Sequence, residues 1–116
     1  MKLRIQDNSL RLRLTQKEVA RLGDRGSVES AIRFSADCVL NYSVSVMAYT
    51  DKVSVRYEGD SICVFLPERM ASAWAGNDEV AIEAIDSGVR ILVEKDFQCL
   101  HHAGPGDPDA FPHPLA

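Results

Sequence analysis

Apolar and polar residues alternate along most of this chain and divide it into short strands. Leu10, Leu12 and Leu14 are separated by single arginines and follow a turn at Asp7-Asn8. Apolar spacing of two residues on either side of an Asx-rich turn is typical of a β-hairpin. The first elements are therefore predicted to be two antiparallel strands that bury one face.

A short helix is predicted directly after this hairpin. Thr15 and Glu18 stand three residues apart, the spacing of a capping box, in which a hydroxyl and a carboxylate each bond a free amide at a helix start. The helix is expected to run to about Leu22 and to end at Gly23, because glycine readily adopts the left-handed conformation of a helix end.

The same order of elements recurs after 52 residues, and such a repeat indicates two copies of one supersecondary unit. The shift aligns, without a gap, Arg4 with Arg56, Ser9 with Ser61, Leu14 with Leu66, Val28 with Val80 and Ser35 with Ser87. In the second copy Pro67 is suited to the first helical turn, Met70 and Trp74 are the expected buried residues, and Gly76 is the expected end.

The predicted fold is mainly β with two short helices, of the α+β class. Two β-β-α-β-β units, about 2–47 and 53–97, are expected to be related by a pseudo-twofold axis and to share one core in a single domain, 1–97. Residues 98–116 hold four of the five prolines and are predicted to form an extended tail.

Composition places the chain among ordinary globular proteins and excludes a membrane span. No stretch approaches the roughly 20 apolar residues that a membrane helix needs, and the start of the chain lacks the pattern of a signal peptide. Three cysteines, an odd and sparse set, favour reduced thiols and a cytoplasmic protein. Residues 1–34 carry a net charge of +4 within a chain of net charge −4, an asymmetry typical either of a nucleic-acid interface or of two solvated surfaces.

Several motifs together resemble the SpoVT/AbrB domain found in MazE-type antitoxins. They are Asn8-Ser-Leu-Arg-Leu-Arg-Leu14 and Gly26-Ser-Val-Glu29 in the first copy, and Gly59-Asp-Ser-Ile-Cys-Val-Phe-Leu-Pro67 and Asn77-Asp-Glu-Val-Ala-Ile-Glu83 in the second. The resemblance implies one barrel of the swapped-hairpin type, built as a covalent pseudo-dimer. The whole chain also resembles a family of uncharacterised bacterial proteins, which implies no function.

The SpoVT/AbrB resemblance implies binding of double-stranded DNA and a role as a transcriptional regulator. Arg4, Asn8 and Arg13 match positions that contact DNA in that family, Arg11 adds a donor on the same strand face, and Arg56 matches in the second copy. A guanidinium fork can hold two phosphate oxygens or a guanine edge. The alternative is that Arg11 and Arg13 form the solvated face of a half-buried strand.

A second hypothesis is a protein-interaction module that is antitoxin-like and binds no DNA. Cys63 and Phe65 make their strand apolar on both faces, and Phe111 lies between prolines in the tail. Either the C-terminal segment covers the first two residues, or they form a patch for a partner.

Catalysis and metal binding have weaker support. Cys99, His101 and His113 carry zinc-binding atoms, but their spacing matches no closed structural site. The cysteines lack a base at a recognisable spacing, and the chain has no phosphate-cradling glycine loop. The expectation is a small binding protein, a monomer or weak homo-oligomer, that is not an enzyme and needs no cofactor or metal.

Overall fold

The computed structural model describes residues 1–97 and, beyond them, residues 109, 111 and 114. Within these residues the order β-β-α-β-β occurs twice. The elements are β1 (Lys2–Gln6), β2 (Ser9–Leu14), α1 (Gln16–Arg25), β3 (Ser27–Ser35), β4 (Cys38–Met47), β5 (Ser54–Glu58), β6 (Ser61–Pro67), α2 (Glu68–Gly76), β7 (Ala81–Asp86) and β8 (Val89–Lys95).

The strands form two four-stranded sheets, and each sheet takes one hairpin from each unit. Sheet I has the order β1-β2-β8-β7, and sheet II has the order β3-β4-β6-β5. The hairpins are antiparallel, whereas the two central pairs, β2 with β8 and β4 with β6, are parallel. Exchanging the two units converts one strand order into the other.

The same backbone contact fixes the parallel register in both sheets. The N–H of Arg90 donates to the carbonyl of Asn8 at 3.0 Å, and the N–H of Asn41 donates to the carbonyl of Asp60 at 2.7 Å. Each contact joins the residue at which a parallel ladder begins to the hairpin turn of the other unit. All four hairpin turns therefore lie at one end of the molecule, and the helices follow β2 and β6 at the other end.

One hydrophobic core fills the space between the sheets and draws on both units. Leu12 and Val64, which occupy equivalent positions in the two units, are both fully buried in it. The buried members of this cluster are Leu12, Leu14, Leu22, Val28, Val44, Val53, Val64, Leu66, Ala71, Trp74, Ile82, Ile91 and Val93. Because each sheet presents side chains from both units, neither unit encloses this core by itself.

The α+β prediction is confirmed, but the predicted closed barrel is not supported. The strand orders leave β1 and β7 as the edges of sheet I and β3 and β5 as the edges of sheet II. At one of these junctions, the carboxylate of Asp86 on β7 accepts the N–H of Val55 on β5 at 3.0 Å. A side chain thus occupies an edge amide that a continuous ladder would need, which explains why the sheets do not join there.

The constant shift of 52 residues does not hold beyond the first helix. Strand pairing places Val28 opposite Val44 and Ile82 opposite Val93, so Ile82 rather than Val80 is the counterpart of Val28. Ile82 is buried and Val80 is exposed. Local alternation predicted these strands, but an insertion before β7 changed their alignment.

The second helix buries a different residue from the one predicted. Met70 is exposed, whereas Ala71 and Trp74 are buried, and the indole N–H of Trp74 donates to the carbonyl of Val80 at 3.2 Å. Pro67 is the last residue of β6 and precedes the helix without a side-chain cap, instead of lying in its first turn.

The first helix has the predicted capping box but ends later than predicted. Thr15 and Glu18 make both reciprocal bonds of the box. The helix continues through Gly23 to Arg25, and Gly26, with a φ of 82°, ends it by donating its N–H to the carbonyl of Leu22 at 2.9 Å. The left-handed position is therefore Gly26.

Alanine substitutions at these two glycines are expected to have opposite effects on stability. A Cβ atom would meet nothing within 4 Å at either position, so only backbone conformation differs. Gly23→Ala should raise the free energy of unfolding by about 0.5–1 kcal/mol because it lies within a helix. Gly26→Ala should lower it by about 1 kcal/mol because its φ is positive. Urea denaturation measures both changes, and the reverse order would place the helix end at Gly23.

The carboxylate of Glu18 joins the start of the chain to the first helix. It accepts the N–H of Thr15 at 2.9 Å and the ammonium group of Met1 at 2.6 Å. Partial burial acts to raise the pKa of Glu18, but the bonds from the ammonium group and from Thr15 outweigh it, so its pKa lies below the ordinary value.

This lowered pKa gives a signed pH dependence of stability. A carboxyl group whose pKa is lowered by folding contributes stability above its unfolded pKa and loses it as the pH falls through its folded pKa. The destabilisation caused by Glu18→Gln should therefore be largest near neutral pH and shrink as the pH falls from about 5 to about 3. Thr15→Ala, which removes the hydroxyl cap, should cost about 1 kcal/mol throughout this range. A constant effect of Glu18→Gln across this pH range would contradict the assignment.

Candidate functional site

The outer face of sheet I carries a concentration of positive charge. Leu10, Leu12 and Leu14 of β2 point towards the core, so the residues between them point outwards, and the strand register aligns them with outward residues of β1 and β8. We call this surface the arginine face, and it consists of Lys2, Arg4, Arg11, Arg13 and Arg90.

Two of these arginines are held by one carboxylate. Glu94 of β8 accepts a hydrogen bond from Nε of Arg13 and lies 3.6 Å from Nε of Arg11. Lys2 pairs with Asp96 at 3.0 Å. Within the described part of the chain, Arg4 and Arg90 are exposed and have no carboxylate partner, so they are the charges most available to a ligand.

Arg4, Arg11 and Arg90 border a small cleft on this face. It has a volume of about 170 Å³ and is also lined by the polar side chains of Gln6 and Ser9. Arg4 donates to Oε1 of Gln6 at 3.3 Å, which orients its guanidinium group. Three guanidinium groups with hydroxyl and amide neighbours suit a phosphate group, because planar N–H pairs match its oxygens.

The equivalent face of sheet II is nearly neutral and rich in serine. Cys63 and Phe65 occupy the positions of Arg11 and Arg13 and are half-buried beside Ser43 and Ser45 of β4. Arg56, the counterpart of Arg4, is exposed here and lies 3.7 Å from Glu58. The structure therefore separates Arg56 from the other arginines predicted to bind DNA.

Asn8 is exposed, and its side chain joins the two hairpin turns of sheet I. Its Nδ2 atom donates to the carbonyl of Gly88 at 2.7 Å, across 80 residues of sequence. The predicted DNA-contact residue thus has a structural bond in this fold, close to the arginine face.

The remaining predicted residues lie mainly in the tail. Phe111, proposed as a partner anchor, is 98% exposed. Cys99, His101 and His113 lie outside the described residues. Among residues 1–97, 109, 111 and 114, no group of three His, Cys, Asp or Glu side chains is arranged to hold a metal ion.

Comparison with known proteins identifies the family. The model of a family of unknown function, DUF7009, matches residues 1–115. The chain belongs to this family. No curated protein and no solved structure matches it.

Membership of the DUF7009 family overturns the SpoVT/AbrB resemblance. The match covers every motif on which the resemblance depended, and no SpoVT/AbrB domain is found. The shared features are a turn residue, an alternating strand, a helix that ends near glycine and a second hairpin. Any β-β-α-β-β unit needs these features, so they identify local structure and not ancestry. The expected bacterial origin is also without support.

A second surface was not predicted from the sequence. An apolar groove of about 540 Å³ opens between the sheets at the end where the hairpin turns lie, lined in part by Ile5, Leu10, Leu40, Tyr57 and Ile62. We call it the turn-end groove. The alternating pattern assigned these residues to the core, but Ile5 and Tyr57 are 61% and 73% exposed. Their place in edge strands next to turns was the available signal.

The described residues of this DUF7009 protein include no helix long and apolar enough to cross a membrane.

Proposed function

We propose that this protein binds nucleic acid, with double-stranded DNA as the preferred form, through the phosphate contacts of the arginine face. The observation that carries the proposal is the difference between two equivalent surfaces. Lys2, Arg11, Arg13 and Arg90 stand where sheet II has Ser54, Cys63, Phe65 and Asn41. Because the same fold accommodates neutral residues at these positions, the fold alone does not require the positive charges.

The composition of the arginine face favours a duplex over a single strand. Proteins that bind single strands usually stack bases on aromatic side chains. None of the outward-facing residues of the four described strands of sheet I is aromatic. Phosphate contacts from arginine supply affinity without reading sequence, so we expect binding with weak sequence preference.

We further propose that the protein is cytoplasmic and non-enzymatic and that it acts as a monomer or weak homo-oligomer. Cys38, which is exposed, and Cys63 are free thiols, a state that a reducing compartment maintains. The second candidate is a protein partner without DNA binding, and the exposure of Phe111 favours it.

Binding to DNA should be strongly salt-dependent and should depend on particular arginines. A fluorescent duplex of about two helical turns, titrated by anisotropy, should give a Kd of roughly 1–100 µM at physiological salt and a lower Kd at about 50 mM salt. Arg4→Ala and Arg90→Ala should each weaken binding and reduce the slope of log K against log salt by about 1. Arg56→Ala, the equivalent change on sheet II, is the matched control and should alter neither. Absence of binding at low salt would contradict the proposal.

Neutralising Glu94 should strengthen DNA binding. Its carboxylate competes with phosphate for Arg11 and Arg13 and repels the DNA backbone. Glu94→Gln removes the repulsion between this carboxylate and a nearby phosphate. At the dielectric constant of water, this loss of repulsion should raise the affinity about threefold at low salt. Glu29→Gln makes the same charge change on the outer face of sheet II and should leave the Kd unchanged. Equal gains for both variants would indicate that net charge alone, and not this face, controls binding.

A further inference from the structure

The turn-end groove is the open end of the hydrophobic core. At the opposite end, Leu22, Ala71 and Trp74 of the helices are buried in the core and close it. No described element covers the inner-face residues nearest the turns. Ile5 and Tyr57 are equivalent residues of the two units, so both sheets contribute to the opening in the same way.

The longer hairpin of the first unit extends one wall of the groove. Strands β3 and β4 are longer than β7 and β8, so this hairpin projects further at the turn end. Ile32 pairs with Leu40 on the inner face and is half exposed. Exposed apolar residues that adjoin a groove in this way indicate an interaction surface and not isolated surface residues.

The rim of the groove is acidic. The four turns with one flanking residue on each side, 6–9, 35–38, 58–61 and 86–89, contain no lysine or arginine. They carry five carboxylates, which are Asp7, Asp37, Glu58, Asp60 and Asp86, and Asp86 lines the groove itself. Two arginines offset part of this charge: Arg56 lies 3.7 Å from Glu58, and Arg33 donates to the carbonyl of Ala36 at 3.4 Å. The turns keep an excess of negative charge. An apolar groove with an acidic rim is complementary to apolar side chains flanked by positive charge.

We propose that the turn-end groove binds a cationic amphipathic segment of a partner protein. Apolar side chains of the segment would enter the groove and cover Ile5 and Tyr57, and its lysine or arginine residues would lie against the acidic turns. This binding is separate from the proposed DNA contact, because the arginine face is the outer surface of sheet I and the groove lies between the sheets.

Charge argues against two other occupants. Residues 98–116 contain no lysine or arginine and include Asp107 and Asp109, so the tail does not complement an acidic rim. Strand β8 ends at the helix end, where Lys95 lies beside Leu14, and not at the turn end where the groove opens. A second copy of this chain would bring two acidic rims together.

A synthetic peptide tests the proposal with a defined probe. A labelled amphipathic peptide of leucine and lysine, about five helical turns long, should bind with a micromolar Kd that weakens as salt rises. A peptide in which glutamate replaces lysine should not bind. Equal binding of both peptides would overturn the charge argument.

Matched variants locate the binding site. Tyr57→Ser and Ile5→Ser should each weaken binding of the lysine peptide about tenfold. Tyr49→Ser and Ile85→Ser change exposed residues of the same types outside the groove and should have no effect. All four positions are exposed, and thermal denaturation of each variant would verify folding. Unchanged binding by Tyr57→Ser and Ile5→Ser would overturn the proposal.

Sedimentation of the free protein separates a partner from a second copy. If the groove binds a partner, any dimer that forms at high protein concentration should persist in Tyr57→Ser. The outcome that would contradict this is a dimer that Tyr57→Ser abolishes. Such a dimer would assign the groove to self-association and overturn the inference. The DNA titration of the groove variants should match that of the unsubstituted protein, so the two proposals can fail independently.

Discussion

The whole architecture depends on the parallel pairing of β2 with β8 and of β4 with β6. Among the described strands, these pairs are the only ladders that join the two units, and they lie at the centres of both sheets. Separating the units would expose the inner edges of four strands and open the core around Leu12 and Val64. The side-chain bond from Asn8 to Gly88, which spans 80 residues, supports the same junction. Folding must therefore close long loops before its central contacts form, which favours slow and cooperative folding.

This shared core leaves the two outer faces free to differ in charge. Inward positions remain apolar in both units, because either unit would lose the core if they changed. Outward positions have diverged so far that Arg13 is the counterpart of Phe65 and Arg11 of Cys63. The outer face of sheet I carries five basic residues against the carboxylates of Glu83 and Glu94, whereas that of sheet II is nearly neutral. An identical homodimer could not separate its faces in this way, because a substitution in one subunit would appear in the other.

Sequence patterns predicted the local elements more reliably than the contacts between them. Alternation predicted the hairpins, and the spacing of Thr15 and Glu18 predicted the helix start, because both depend on neighbouring residues. The helix end was misplaced, since Gly23 and Gly26 are equally suitable by residue type and only the bond from Gly26 to Leu22 decides between them. The barrel prediction was wrong because no local sequence pattern shows whether the edges of two sheets join. Whether sheet edges join depends on contacts such as that of Asp86 with Val55.

The candidate site was only partly predictable for the same reason. Arg11 and Arg13 share a strand, and Arg4 lies on its hairpin partner, so hairpin alternation grouped them. Arg90 and Glu94 join them only through the parallel register of β8, which no local pattern encodes. The turn-end groove was missed because alternation identifies the inner face of a strand without showing whether that face is covered. Ile5 has the inward position of a core residue but lies where no helix closes the sheets.

The distribution of charge also constrains how the two proposed ligands could bind together. The carboxylates of the turns lie at one end of the molecule and would repel a phosphate backbone that extended over them. DNA on the arginine face comes close to this end, because Arg90 pairs with Ser9 at the start of β2 and its N–H donates to the carbonyl of the turn residue Asn8. A cationic segment in the groove would neutralise part of the acidic rim and weaken that repulsion. Occupation of the groove would then strengthen DNA binding through electrostatics alone, without any change in the positions of the strands.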